Sequence, residues 1–390
     1  MRAASVAACT ILAVAIATVA SARARGQDAA VKPGAPLVAS YLPPVGDPLG
    51  DRIRGRAWTY DSAVAAAGRA AAGDLDGAGA LLDALQDLQR SDGALESSYD
   101  IATGEGAGPL RAGNQAWIGL AALEWRSRTC SGRHDRLIAG LADWLLSHRI
   151  AARTSPGFGL VVGGPDVSWA STEHNLEARG FFAGLAATLA GRPADPVTGR
   201  ACQPGLDGLS ARASNALLVR SAEAVRRIDR VIDTELFVRE GPRAHLRQGL
   251  DDDARPLDVQ ALGMLWLLGR GRRADALAVE RHTDATMAVT GRRVALPNAA
   301  GQTFDGYRPF EDAWGPDVLW MEGTLMMRLA KVRLGRDVSV LDGHVARWAA
   351  LTAPAPPLQV DRAAGEDYHV WPAAGPAGWL VLSHSRFALL

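Results

Sequence analysis

Residues 169 to 190 read WASTEHNLEARGFFAGLAATLA. The second half is apolar and rich in small residues, as suits a helix packed on all sides. The first turn is the opposite: Glu173, His174, Asn175 and Glu177 crowd the place where that helix begins. A buried helix that opens on titratable groups must direct them into some shared space. The reading of the fold therefore turns on whether other helices begin in the same way.

Outward from this stretch, eleven amphipathic segments of helical period lie between Tyr60 and Leu390, separated by loops rich in Gly, Pro and Asp. They run in pairs: 60–72 with 76–90, 112–128 with 134–149, 171–190 with 209–229, 256–269 with 272–288, and 316–335 with 338–350, then a last segment at 373–389. Within a pair the link is short, as in GDLDG after the first helix, GRG at 269–271 and GRD at 335–337, which forces antiparallel neighbours. Between pairs the loops are long, as in SDGALESSYDIATGEGAGPLRAG (91–113) and TGRRVALPNAAGQTFDGYRPFEDAW (290–314). Strand signals are almost absent, and FGLVVGG at 158–164 is the best candidate for one.

Hairpins with short turns at one end and long loops at the other, repeated about an axis, place every long loop at one mouth of a toroid. The odd-numbered helices then all begin at that mouth, with the starts YDSA (60–63), GNQAW (113–117), STEHN (171–175), LDVQA (257–261), LWMEG (319–323) and WPAAG (371–375). They are the more apolar set and form an inner ring. The even helices, such as SARASNALLVRSAEAVRRID, carry a polar face for water.

These features together resemble a known family. The YD start, LQRSDGALESSYD (88–100), GNQAWIGLAAL (113–123), STEHNLEA and WMEGT are similar to the six-hairpin glycosidase superfamily, over about residues 58 to 390. The resemblance implies an all-α (α/α)6 toroid that acts on, or binds, an oligo- or polysaccharide. It leaves the reaction open, because one toroid hosts several chemistries: glycoside hydrolysis, polysaccharide elimination, sugar epimerisation, or binding alone in an envelope protein. Six full hairpins need twelve helices; with eleven legible, the twelfth is missing, is supplied by the segment before Tyr60, or is hidden in the long loops.

Glycoside cleavage generally uses two carboxyl groups across the scissile bond, one protonated and one ionised. Glu173 and Glu322 begin different inner helices and are the leading candidates, with Asp61, Asp100, Asp258 and Asp312 behind them. A first-turn carboxylate is held ionised by the helix dipole, by about 0.3 to 1 kcal/mol, which points Glu173 and Glu322 toward the base or nucleophile role. Asp61 or Asp100, beside aromatic residues, suits a general acid with a raised pKa. His174 is placed to exchange protons or to orient Glu173. Acidic residues in a first turn also serve simply as caps, and Ser171 or Thr172 begins an ordinary N-terminal cap.

Asn114, Gln115, Asn175 and Gln260 carry amides suited to hydroxyl recognition, although amides equally tie down loops. Among the eleven tryptophans, Trp117, Trp169, Trp314, Trp320 and Trp371, with Tyr368 nearby, are placed to stack on sugar faces. No cofactor or metal is expected: the phosphate-loop, zinc-protease and nucleophile-elbow motifs are missing, and Asp251, Asp252 and Asp253 lack the spaced oxygen ligands of a calcium loop.

The 390 residues are 48% hydrophobic, and 42 basic residues balance 42 acidic ones. Such a chain buries a large core and has no global field for nucleic acid or an anionic membrane, so small neutral ligands and a monomer are expected. The start MRAASVAACTILAVAIATVASARARG reads as a secretory leader cut after Ala22 or Ala24, its apolar segment being short of a bilayer span. The expected organisation is therefore a signal peptide at 1–24, an N-terminal extended segment at 25–57 and the toroid at 58–390, in a protein exported to the periplasm or beyond with no membrane span after processing. Cys130 and Cys202 would remain; an oxidising compartment permits one bond between them, but sequence does not give their separation in space.

Overall fold

The computed structural model describes residues 37–192, 202–293, 301–311, 313–351, 368–385 and 387. The leader expected at 1–24 and the first part of the segment expected at 25–57 lie outside these residues. Six helices form the inner ring: α2 (Thr59–Ala72), α4 (Ala112–Thr129), α6 (Thr172–Leu189), α8 (Leu257–Gly269), α10 (Met321–Arg333) and α12 (Ala374–His384). Each packs on the next, and α12 returns to pack on α2, which closes the ring. Five outer helices, α3 (Leu75–Leu88), α5 (Asp135–Ser147), α7 (Ala211–Val231), α9 (Arg273–Thr286) and α11 (Ser339–Ala349), lie against the inner helices that precede them. Among the described residues α12 has no such outer partner, so the eleven helices legible in the sequence are the eleven of the two rings.

The two rings differ as their sequences require. In α8 every residue from Leu257 to Leu267 except Asp258 is buried, as expected of a helix surrounded by others. In α7 the buried residues Leu217, Ser221, Ala224, Ile228 and Val231 follow the three-four spacing of one helical stripe, and the remaining face meets water. Gly73, at φ 90°, ends α2 in the left-handed conformation and turns the chain into α3, whose first turn is capped by Asp74. Glycine is also required where the ring closes. A Cβ on Gly378 would lie 2.7 Å from Val64 Cγ1 and 2.9 Å from the Val64 carbonyl oxygen, so only glycine lets α12 come this close to α2.

A strap from Leu37 to Asp47 seals the same junction on the side where the inner helices begin. The Ala374 N–H donates to the Ser40 carbonyl (2.8 Å), the Leu42 N–H to the Pro372 carbonyl (2.9 Å), and the Trp58 N–H to Ser40 Oγ (2.7 Å). The segment expected to be extended up to residue 57 also holds a short helix, α1 (Pro48–Ile53), capped by Asp47, and the start of the first strand, β1 (Arg56–Trp58).

The sequence under-reported strands. Small antiparallel sheets occupy the long loops: β1 (Arg56–Trp58) with β2 (Ser98–Asp100) and β3 (Gly106–Ala107), β4 (Phe237–Glu240) with β5 (Arg243–Leu246), and β6 (Ala288–Arg293) with β7 (Thr303–Tyr307). The stretch FGLVVGG forms no strand; it contributes only isolated bridges, Val161 to Arg149 and Gly164 to Val167. Cys130, at the C-terminal end of α4, is bonded to Cys202 with 5.1 Å between Cα atoms. Among the described residues no helix is long and apolar enough to cross a membrane.

Candidate active site

Alignment of the inner helices on their first residue explains the crowded start of α6. The second residues are Tyr60, Gly113, Glu173, Asp258, Glu322 and Gly375. Side chains on a helix lean toward its N-terminus, so this position projects from every inner helix into one basin. Tyr60 Oη donates a short hydrogen bond to Glu322 Oε1 and accepts one from Trp379 Nε1 (2.9 Å). The glycines open the wall at the other two helices. A Cβ on Gly375 would lie 2.9 Å from Asp61 Oδ1 and 3.1 Å from Glu322 Oε2, so those two carboxyl oxygens are within about 6 Å of each other.

One turn deeper, the sixth residues of α4, α6 and α12 form part of the floor. They are Trp117, Glu177 and Trp379. Trp117 Nε1 donates to Glu177 Oε1 (2.6 Å), and the Trp117 ring meets those of Trp379 and Tyr60 edge-on at centroid distances of 5.4 and 5.7 Å. Trp117 is fully buried, so the sugar-stacking role expected for it is corrected: it supports the floor from beneath.

Burial of this many acids together has an electrostatic consequence. Loss of water pushes Asp258 up to about 6, Asp61 to about 7, and Glu177 and Glu322 to about 8. Glu173 is raised well above the usual carboxyl range, first by burial, then by the charges of Asp258, Glu177 and Glu322. For Asp61 a hydrogen bond with Ser40 of the strap acts in the opposite direction, as Tyr60 and Trp379 do for Glu322. Burial, then the Arg111 charge, lowers His174 to about 4, so its imidazole is neutral at physiological pH. The expectation that the helix dipole keeps Glu173 and Glu322 ionised is thus reversed. A few tenths of a kcal/mol from one helix end is small against desolvation and several neighbouring acids.

Three of the expected hydroxyl-binding amides are structural. In α4, α6 and α8 the fourth residue points back at the chain that leads into the mouth. Gln115 bonds both the N–H and the carbonyl of Leu95 (2.9 Å each); Asn175 does the same with Val161 (2.8 and 2.9 Å), and Gln260 with Leu246 (2.9 and 2.8 Å). All three are fully buried, with donors and acceptors committed to the backbone, so none is left for a ligand. Thr324 holds the same position in α10 and accepts from the Tyr307 N–H (3.0 Å). Asn114, half-buried at the third position of α4, donates to Ser97 Oγ (3.3 Å).

The remaining candidates lie farther out. Asp100 belongs to a loop turn, where it accepts from the N–H groups of Thr103 (2.8 Å) and Ala102 (2.9 Å). These bonds, that of Thr103 first, hold it below the usual carboxylate range, the opposite of what a general acid needs, so that expectation is corrected. Trp371 is buried, stacked on His369 at 3.9 Å and edge-on to Tyr41 of the strap at 6.5 Å; it secures the ring junction rather than offering a free face. Trp320 immediately precedes α10 and meets Tyr368 edge-on at 6.3 Å, while Trp314 is 47% exposed in the preceding loop. Asp312 lies outside the described residues. Among the described residues no group of three or more His, Cys, Asp or Glu side chains is arranged to hold a metal ion.

Sequence reasoning passed over Tyr60, Trp379, Ser40 and the role of Glu177. Glu177 was readable in principle, since it follows Glu173 by four residues and shares its face one turn down. Tyr60 becomes visible once the helix starts are aligned on their second residue.

No protein-family model and no curated relative matches the sequence. Solved structures do match. A glutamate-to-alanine variant of a glycosidase in complex with glucose superposes with a TM-score of 0.63 at 16% identity, covering 98% of each chain. A glycoside hydrolase family 76 mannosidase from Bacteroides thetaiotaomicron gives 0.56 at 13% identity, over 98% of this chain and 97% of that one. A bacterial glucoamylase complexed with acarbose gives 0.54 at 14% identity, over 84% of this chain and 48% of that one. The chain has the (α/α)6 toroid fold of the six-hairpin glycosidases.

Proposed function

We propose that the protein is a glycoside hydrolase for a neutral saccharide, with Glu173 as general acid and Glu322 as general base. The observation that carries this reading is the unequal setting of two carboxyls in one basin. Glu322 receives the Tyr60 hydroxyl and is helped by Trp379, which favours its charged form. Among the described residues nothing donates to the Glu173 carboxyl, and three acids surround it, so Glu173 retains its proton.

Glu173 and Glu322 stand on α6 and α10, with α8 between them in the ring. Neighbouring packed helices run about 8–10 Å apart, so carboxyls reaching inward from helices two apart leave room for a water. In the proposed step Glu322 takes a proton from that water, the water oxygen bonds to the anomeric carbon, and the glycosidic C–O bond breaks as Glu173 protonates the leaving oxygen. The product anomer is inverted. Asp61 and Glu322 have carboxyl oxygens within about 6 Å of each other, and a reaction through that pair would instead retain configuration.

A basin lined by Asp61, Glu173, Glu177, Asp258 and Glu322 presents carboxyls, not cations, to an anionic sugar. Arg111, the cation acting on His174, is held by Asp166 at 2.8 Å. This disfavours elimination from uronic acids, whose carboxylates need neutralising, and is compatible with the glucose and mannosidase named for the structural neighbours. Those neighbours include glycosidase variants at glutamate and at tyrosine, residue types also present in this basin. We also place the protein outside the cytoplasm. The leader-like start and the Cys130–Cys202 bond support export, which sequencing of the mature N-terminus after Ala22 or Ala24 tests.

The test of the activity is incubation with a panel of neutral α- and β-linked glycans, with mass spectrometry of products and NMR of the first-formed anomer. Addition of water to the mass with inversion supports the reading. Retention moves the assignment to Asp61 and Glu322, an unsaturated product marks a lyase, and binding by both parent and Glu173→Gln without turnover marks a binding protein.

A further inference from the structure

Glu177 is more than the partner of Trp117. It is 2% exposed, one carboxyl oxygen is fixed by the Trp117 N–H, and the other, Oε2, is buried with no hydrogen-bond partner among the described residues. A glutamine in its place would accept from Trp117 equally well without placing an acid in this setting. A buried oxygen left unpaired is costly. Its presence implies a partner that arrives with a ligand.

The surroundings show where that partner sits. His174 lies against the face of α4 at Gly113, where a Cβ would collide with His174 Cδ2, lie 2.9 Å from His174 Nε2 and lie 2.7 Å from Glu177 Oε2. The two polar atoms are therefore within about 5.6 Å of each other, yet among the described residues nothing bonds to Oε2. One hydroxyl oxygen, bonding at about 2.7–3.0 Å to each side, spans such a pair. Glycine in the first turn of a helix gives up backbone stability relative to alanine, and here it is the absence of a side chain that lets the His174 ring lie beside Glu177.

We propose that Glu177 and His174 together bind one hydroxyl group of the saccharide unit seated on the floor of the basin, and so determine which sugar is accepted. The assignment rests on the glycosidase reading and deepens it. Burial keeps Glu177 protonated and His174 neutral near pH 7, so the pair offers one donor and one acceptor to a neutral hydroxyl.

The test is a double-mutant cycle between protein and sugar. The full chain is titrated with D-glucose, D-mannose and each of their monodeoxy derivatives, for the parent and for Glu177→Leu and His174→Leu, with folding checked by circular dichroism. In the parent, loss of one particular hydroxyl is expected to weaken binding by about ten- to a hundred-fold, as for a hydrogen bond to a buried polar group. In either variant that one penalty should fall below about three-fold, while the penalties at other positions stay. If Glu177→Leu fails to fold, His174→Leu alone decides the matter. Penalties that are unchanged in the folded variants, or a preference for an amino group over the hydroxyl, overturn this inference and leave the hydrolase reading intact. If the parent binds no neutral sugar and cuts no glycan, both readings fall.

Discussion

Tyr60 and Glu322, 262 residues apart in the chain, share a hydrogen bond across the junction where the toroid closes. Tyr60 stands on the first inner helix and Glu322 on the fifth, and Trp379 of the sixth donates to the same hydroxyl. Closure of the ring and the setting of Glu322, the proposed base, are thus one event. Without the fit of Gly378 against Val64, α12 would not bring Trp379 to Tyr60.

This bond gives a directional prediction for pH. The Tyr60 hydroxyl favours the ionised form of Glu322, whose carboxyl stands at about 8. A base must be ionised to act, so kcat/KM of the parent should climb as pH rises through about 8. Tyr60→Phe removes the donor and raises the Glu322 pKa further, moving the climb to higher pH. A loss of roughly 10- to 100-fold at pH 7 that shrinks by pH 9 is expected. An equal loss at every pH would show that Tyr60 acts only through packing.

The acid and base assignments separate by leaving group. Glu173→Gln should lower kcat/KM on a natural glycan by about 10²- to 10⁴-fold. On a glycosyl fluoride, whose leaving group departs without a proton, most of that loss should vanish. Glu322→Gln should be impaired on both substrates, because the water still needs a base. Steady-state rates on the two substrates decide this, and the reverse pattern would exchange the roles.

The fold was legible because it is built from local signals repeated many times. Inner and outer helices differ in their apolar pattern, and short links alternate with long loops, so the eleven ring helices begin and end within about five residues of where periodicity put them. The site was less legible. Gln115, Asn175 and Gln260 sit where ligand-binding residues would sit, but their partners Leu95, Val161 and Leu246 belong to chain segments whose position only the fold reveals. The ionisation of Glu173 was misjudged for a related reason. The dipole of its own helix is a local property, whereas the acids that oppose it include Asp258 and Glu322 on other helices. The short strands escaped because segments such as Arg243–Leu246 pair only with an adjacent arm and show no long alternation.

The acidic basin should cost stability as pH rises. Glu177 has an ordinary value of 4.5 and stands at about 8 in the folded chain, so the folded state holds a proton that the unfolded state releases between those limits. Its contribution is neutral below about pH 4 and grows more unfavourable up to about pH 8. Glu177→Gln, which keeps an acceptor for Trp117, should therefore match the parent at pH 4 and be more stable at pH 8, by on the order of 2–4 kcal/mol. Denaturant unfolding at both pH values checks it. Equal stability at pH 8 would mean that the carboxyl is not held protonated.

The Cys130–Cys202 bond should stabilise the fold without touching the chemistry. It closes a loop of 72 residues, which by chain entropy is worth about 4 kcal/mol. For a domain of this size that corresponds to a fall in Tm of roughly 6 °C when both are replaced by Ser, and a reducing agent should produce the same fall in the parent. Cys130 follows the last residue of α4, at the opposite end of an 18-residue helix from Gly113 and the basin, a distance of about 27 Å. Below the transition the double variant should keep the kcat and KM of the parent. A lower Tm with unchanged kinetics places the bond in the scaffold, whereas a change in kcat at 25 °C would mean that the far end of the ring transmits strain to its mouth.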